Sequence, residues 1–428
     1  MKNRTSPAIF YGWFIVVAAF LNLFFAVGII FYGFPVFYPA LTSGLGFTHA
    51  EVTQGFLLGF LLVGLPFGIV TGTLIDRVGA RPVILVGVGF IGLPLIGMGF
   101  MRSFWQYEVL CILEVIGYVL AGPISNQVLI ARWFRERRGQ AMGYAYLGLG
   151  LGGAVAPPAI NWMIRGLGWR SAIEATGAAA LLVLIPVGLW VTRSAPGEMG
   201  LHPDGVDSST ITRLEISVAP AVIEISEAAK DKNFWLILVG SALVIGAMNA
   251  VIQHFIFFLE SVGNSPSQAT RTLSILLIAS LASRVIVGYL ADRFNKKNTM
   301  ACFYLLLCAA ILILPFAGHP AMALGFAVVF GFAMGADYML IPLVTAECFG
   351  VAALGKILSL IIMGYSIGQW MAPWCAGKIF DTYHSYDNAW KLMACLGLIG
   401  AFMIFAISSR PKWKAGGVFP KTSCNTQP

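Results

Sequence analysis

The sequence predicts an all-α membrane protein whose twelve transmembrane helices form two six-helix bundles related by pseudo-two-fold symmetry. Three observations lead there: an apolar composition, a series of membrane-length apolar segments, and a pattern repeated between the two halves. Of the 428 residues, 58% are hydrophobic and 11% charged, with a mean hydropathy of +0.82. Soluble domains carry about 25% charged residues, so an ordinary globular protein is excluded. A helix needs about 20 apolar residues to cross the roughly 30 Å hydrocarbon layer. Backbone N–H and C=O groups find no partners in lipid, which makes segments of this length and polarity helical.

About twelve segments qualify: 10–33, 51–74, 82–101, 105–129, 140–163, 170–192, 234–260, 268–291, 299–317, 320–345, 357–380 and 389–409. The first follows Lys2 and Arg4 and carries Trp13, Asn22 and Tyr32. Its apolar run is too long for a secretion signal and lacks a small-residue cleavage site, so it is expected to stay as an anchor. The second runs into Gly72, Asp76 and Arg77, and Arg81 precedes the third. The fourth holds Glu114 and Asn126 and ends at Arg132-Trp133-Phe134. The fifth carries Tyr144, Tyr146 and the run Gly148-Leu-Gly150-Leu-Gly152-Gly153 before Pro157-Pro158. No strand or lysine precedes that run, so it reads as close helix contact and bending rather than a phosphate loop. The sixth follows Gly168-Trp169-Arg170. The seventh carries Trp235, Asn249, Gln253 and His254, and the eighth Ser280, Arg284 and Gly288. The ninth is apolar, the tenth contains Gly335-Ala336-Asp337-Tyr338, and the eleventh contains Tyr365 and Gln369. The twelfth follows Ala389-Trp390-Lys391.

The net charge of +8 is distributed by topology. With loops assigned alternately to two sides, about 20 of the 27 Lys and Arg fall on the side of the N-terminus, among them Arg77, Arg81, Arg132, Arg293 and Lys296. That asymmetry predicts cytoplasmic termini and a multi-pass protein of a bacterial inner membrane. It does not mark a nucleic-acid face. The seven cysteines show no metal-ligand spacing, and no segment suggests a cofactor, a nucleotide site or a catalytic constellation.

The longest polar interval divides the chain into an N-terminal bundle (1–193), a cytoplasmic linker (194–233), a C-terminal bundle (234–410) and a tail (411–428). Within the linker, 210–227 is expected to form a short amphipathic surface helix. The halves repeat. Gly72-Thr-Leu-Ile-Asp76-Arg77 recurs 216 residues later as Gly288-Tyr-Leu-Ala-Asp292-Arg293. Trp13 is answered by Trp235, and Arg132-Trp133-Phe134 by Glu347-Cys348-Phe349. Parallel repeats of this kind suit two bundles related by an axis normal to the membrane.

The segment from Gly72 to Arg81 resembles the signature loop of the major facilitator superfamily, with Gly288 to Arg293 as its second copy. Gly72 permits close helix contact, and Asp76 can accept hydrogen bonds from a neighbouring helix N-terminus and pair with the loop arginines. Opening that side would break these contacts, so Gly72, Asp76, Arg77, Arg81, Gly288, Asp292 and Arg293 are expected to form a cytoplasmic latch.

Arg284 lies eight residues before Asp292, about 12 Å inward at 1.5 Å per residue. A charge at that depth costs about 2.5–3.5 kcal/mol on insertion scales and normally faces a polar cavity. Its fixed fork of donors suits a carboxylate. Ser280 and Gly288, one turn to either side, are expected to leave space beside it. The alternative is a structural ion pair with Asp337 or Glu114. Ser283-Arg284-x-x-x-Gly288-x-x-Ala-Asp292-Arg293 and Tyr11-Gly12-Trp13 resemble the monocarboxylate transporters and oxalate–formate antiporters. The resemblance implies that Arg284 partners a substrate carboxylate. Tyr32 and Ser280 stand where proton-coupled animal carriers have lysine and aspartate, and Tyr365 where the oxalate antiporter has a second cation. One cation without a second implies a monoanion.

A carboxyl removed from water can take up and release a proton near neutrality, which makes Asp337 and Glu114 the proton-coupling candidates. Tyr32, Tyr365, Asn126, His254 and Gln369 are the polar groups expected to orient the substrate beside Arg284, with Asn22, Tyr144 and Tyr146 as further candidates. The expected function is alternating-access transport of small monocarboxylates, with protons as a second partner and a monomer as the working unit. Drug efflux by the same fold and a non-transporting membrane sensor are the competing readings.

Overall fold

The computed structural model describes residues 10–47, 49–205, 225–352 and 354–408. Lys2, Arg4, the 411–428 tail and most of the expected surface helix lie outside the described residues; of that helix only the turn Ile225–Ala228 is described. The described residues are helical, without a strand. In chain order the long helices are α1 (Gly12–Leu45), α2 (49–78), α3 (Ala80–Gly99), α4 (Phe104–Trp133), α5 (Arg138–Leu167) and α6 (Trp169–Val191). The second half follows with α7 (Lys232–Ser261), α8 (Pro266–Arg293), α9 (Lys296–Phe316), α10 (Pro320–Phe349), α11 (Leu354–Tyr383) and α12 (Asp387–Phe405). Ten of these are long and apolar enough by composition to cross a membrane. The other two, α2 and α11, match them in length.

Small residues bring the helices together, as expected where apolar side chains gain nothing by leaving lipid. Gly148 and Gly152 of α5 lie against the Phe20 and Phe24 carbonyls of α1. The same arrangement recurs in the second half, where Gly368 of α11 lies against the Ala242 carbonyl of α7. The glycine-rich run of α5 is thus a packing face, as its sequence predicts.

Three helices are irregular. The first apolar span does not end near residue 33. The chain widens over Gly28–Gly33, tightens over Phe34–Phe37 and continues helical to Leu45. Pro35 and Pro39 are accommodated because each sits in the first turn of a new helical segment, where a missing N–H costs little. α4 breaks at Gly122, which precedes Pro123. α10 loosens into a turn at Gly335-Ala336, immediately before Asp337.

The halves meet along two helix pairs. Where α5 crosses α8, a Cβ on Gly139 or Gly288 would collide with the backbone of the other. Where α2 crosses α11, Gly72 and Gly355 stand in the same relation. Both contacts lie toward the end that carries the basic loops.

Candidate functional site

Arg284 of α8 is buried, with 8% of its surface exposed. Its Nη1 donates to the Tyr146 carbonyl of α5. Among the described residues no carboxylate lies within ion-pair distance of it, so the expected alternative of a structural pair with Asp337 or Glu114 is not what the fold builds. Phenols surround it instead: Tyr32 of α1, Tyr146 of α5 and Tyr338 of α10. Tyr32 is 42% exposed although it sits midway along α1. Its ring rests over Gly153. Tyr338 packs against Tyr365 of α11 at 6.3 Å between ring centroids, with the Asn249 amide of α7 beside its hydroxyl. Gln369 donates to Asn249 at 3.5 Å. Arg284, Tyr32, Tyr365 and Gln369 therefore come together from three helices, α8, α1 and α11.

The space beside Arg284 is not made by Ser280 and Gly288, contrary to expectation. Gly288 is filled by Gly139, and the Ser280 carbonyl abuts Gly335 at the turn in α10. Asn126 and His254 also have other work. Asn126 is fully buried, and its amide donates to the Ala121 and Gly122 carbonyls at 2.7 and 2.8 Å, satisfying backbone acceptors freed by the α4 break. Asn22 donates to it from α1. His254 has both ring nitrogens engaged, at 3.1 Å to the Tyr386 hydroxyl and 3.1 Å to the Pro373 carbonyl, away from Arg284. Tyr144 packs on Trp13 near the basic end.

The two buried acids differ. Asp337 is 1% exposed, and its Oδ1 accepts a 2.6 Å hydrogen bond from Tyr304 of α9 while Oδ2 has no partner. It adjoins Tyr338 and so borders the Arg284 cluster. Glu114 is fully buried with neither oxygen partnered, beside Tyr38, Tyr107 and Cys111. Gln127, absent from the sequence-derived set, links the halves. Its amide hydrogen-bonds the Tyr146 hydroxyl and donates to the Tyr338 carbonyl at 3.1 Å. A polar residue near the end of the fourth span, beside Asn126, was the available signal.

At the basic end both signature aspartates bridge the halves. Asp292 of α8 accepts from the Gly139 and Gln140 N–H groups of α5 at 2.6 and 2.9 Å. Asp76 of α2 accepts from the Lys356 N–H of α11 at 3.2 Å. Each carboxylate thus caps a helix N-terminus of the opposite half, where orphan donors and the helix dipole favour negative charge. The arginines behave otherwise than expected. Asp76 pairs with Arg132 of α4 at 3.5 Å. Arg81 instead holds the end of α6, donating to the Gly188 and Leu189 carbonyls at 3.1 and 2.6 Å. Arg77 is exposed, and Arg293 lies over the Tyr289 ring at 4.4 Å.

The chain matches the family model of the Major Facilitator Superfamily over residues 20–270 and 255–423. It is 24% identical over 337 residues to the membrane sensor protein UhpC of Escherichia coli, covering 74% of each chain. Its identity to monocarboxylate transporter 13 of Rattus norvegicus is 23% over 413 residues, 95% of this chain and 91% of that one. The solved fucose:proton symporter FucP of E. coli superposes with a TM-score of 0.68 at 15% identity, over 93% of this chain and 97% of that one. The paired six-helix halves, the doubled signature segment and these matches agree: the chain belongs to the major facilitator superfamily and resembles its monocarboxylate transporter group.

Proposed function

We propose that the chain is a secondary carrier of small organic monoanions, moving monocarboxylates by alternating access around Arg284. The observation that carries this reading is a buried guanidinium with one backbone acceptor, a ring of phenols and, among the described residues, no carboxylate partner. A charge at that depth that the protein leaves unneutralised suits an anionic solute. The phenols of Tyr32, Tyr338 and Tyr365 and the amides of Asn249 and Gln369 orient the anion without adding charge. Asp337 carries the coupled proton, since Tyr304 occupies one oxygen and leaves the other for it. The basic end faces the cytoplasm, and the conformation described is the one closed on that side: the hydrogen bonds joining the halves, through Gln127, Arg284, Asp292 and Asp76, fall between mid-span and that end.

Uptake into proteoliposomes with and without an inward proton gradient tests the reading. Wild-type carrier should accumulate a monocarboxylate when the gradient is imposed. Arg284→Gln should lose uptake by at least a hundredfold, and Asp337→Asn should keep exchange while losing the gradient's effect. Near-normal uptake by Arg284→Gln refutes the anion site. Carboxylate binding without movement would make the chain a sensor, the role named for one of its relatives.

A further inference from the structure

We propose that the transported monoanion is aromatic, its carboxylate on Arg284 and its ring on the open face of Phe31. This rests on the carboxylate reading above and narrows it to a substrate class.

Phe31 is adjacent to Tyr32 in the widened segment of α1, and 44% of its surface is exposed. Its ring has aromatic neighbours on two other helices. Its ring lies 5.3 Å from Phe60 of α2 and 5.2 Å from Tyr118 of α4, and those two rings are 5.6 Å apart. The tilted and edge-on angles of 38°, 67° and 75° fix the three rings as a corner. Tyr118 connects this corner to the cation, because its phenol is also close to Tyr32 and Tyr146, the groups beside Arg284. The aromatic corner and the guanidinium are thus joined through Tyr118 and its two neighbouring phenols, and a chamber bordered by both is part of what is proposed.

The chemistry of that space is lopsided. At one side stands a single cation with donors to spare, and at the other a large apolar ring held rigid by two neighbours and uncovered. A carboxylate of one or two carbons satisfies the cation and leaves Phe31 wet. A carboxylate bearing a ring covers both. Aromatic pairing adds to the gain from burying the ring's apolar area, and the two together should improve apparent affinity by roughly tenfold. Both neighbours, Phe31 and Tyr32, lie in the widened segment and are partly exposed, at 44% and 42%.

The experiment is uptake of phenylacetate, cyclohexylacetate and lactate by the full chain in proteoliposomes, with phenethylammonium as a cationic control. Phenylacetate should show a KM about tenfold below that of lactate and several-fold below that of cyclohexylacetate. Phe31→Ala should raise the phenylacetate KM about tenfold and leave lactate nearly unchanged. Phe31→Leu, which keeps volume without the ring, should bring phenylacetate and cyclohexylacetate together and guards against loss of folding in the alanine variant. Arg284→Gln should abolish uptake of all three anions. Equal handling of lactate and phenylacetate, or an equal effect of both Phe31 variants on every acid, overturns the aromatic assignment and leaves the monoanion carrier standing. Uptake of phenethylammonium in preference to all the acids overturns the anion reading itself.

Discussion

Arg284 is held by very little protein, and the residue that steadies its surroundings is Gln127. Arg284 donates to the Tyr146 carbonyl, the Tyr146 hydroxyl bonds Gln127, and Gln127 donates to the Tyr338 carbonyl beside Asp337. One amide thus ties α4, α5 and α10 together beneath the cation. It is fully engaged on its nitrogen, while Oε1 has no partner. Replacing Gln127 with Leu strands the Tyr146 hydroxyl and the Tyr338 carbonyl in a dry place, a loss of about 1–3 kcal/mol. Gln127→Leu is therefore expected to lower the melting temperature of the purified carrier by a few degrees. It should also slow uptake more than it weakens substrate binding, since the bond spans the halves rather than the site. Unchanged melting and unchanged uptake would mean that Gln127 joins nothing of consequence.

Among the elements, the helix crossings and the helix irregularities divide the labour. Glycines let α5 meet α8 and α2 meet α11 backbone to backbone, whereas the breaks in α1, α4 and α10 set side chains toward the centre. Gly288→Val puts two methyl groups where the Gly139 backbone lies, so the basic end can no longer close. Gly89→Ala meets nothing within 4 Å and is the matched control. The valine variant should reach the membrane in normal amount and lose most of its uptake, while the alanine variant transports like wild type. Comparable activity in the two would show that the close approach of α5 and α8 is dispensable. The crossings were legible in the sequence because Gly72 and Gly288 occur in a repeated pattern with an aspartate four residues on. The irregularities were not. An apolar span carries no periodic signal that tells a straight helix from a widened one, and the span expected over 10–33 continues helical to Leu45. Asn126 and His254 were misplaced for a related reason. A polar residue within a span states that a partner exists, but only the fold shows that the partner is a broken backbone for one and Tyr386 with Pro373 for the other.

At the scale of the whole molecule, two aspartates from opposite halves each cap a helix of the other, so one rigid-body rocking motion breaks both caps together. A side-chain cap on a helix N-terminus contributes about 1 kcal/mol, with the dipole favouring the charge further. Removing two such contacts from one conformation and none from the other shifts the equilibrium between them by roughly ten- to a hundredfold. Ser359 of α11 reports on that equilibrium. It is 1% exposed and packs close to Gly68 and Gly72 of α2, inside the contact that must part. In a carrier whose own cysteines have been replaced, Ser359→Cys should react slowly with a membrane-impermeant maleimide supplied to the basic side. Adding Asp76→Asn and Asp292→Asn together should accelerate labelling by roughly tenfold or more, with each single change giving an intermediate rate. On the anion site proposed here, saturating monocarboxylate should also speed labelling of the parent Ser359→Cys carrier, because an anion that neutralises Arg284 lowers the cost of the alternate state. A labelling rate indifferent to both aspartates would show that the halves are held closed by helix packing alone, and that the doubled signature segment is a means of assembly rather than of switching.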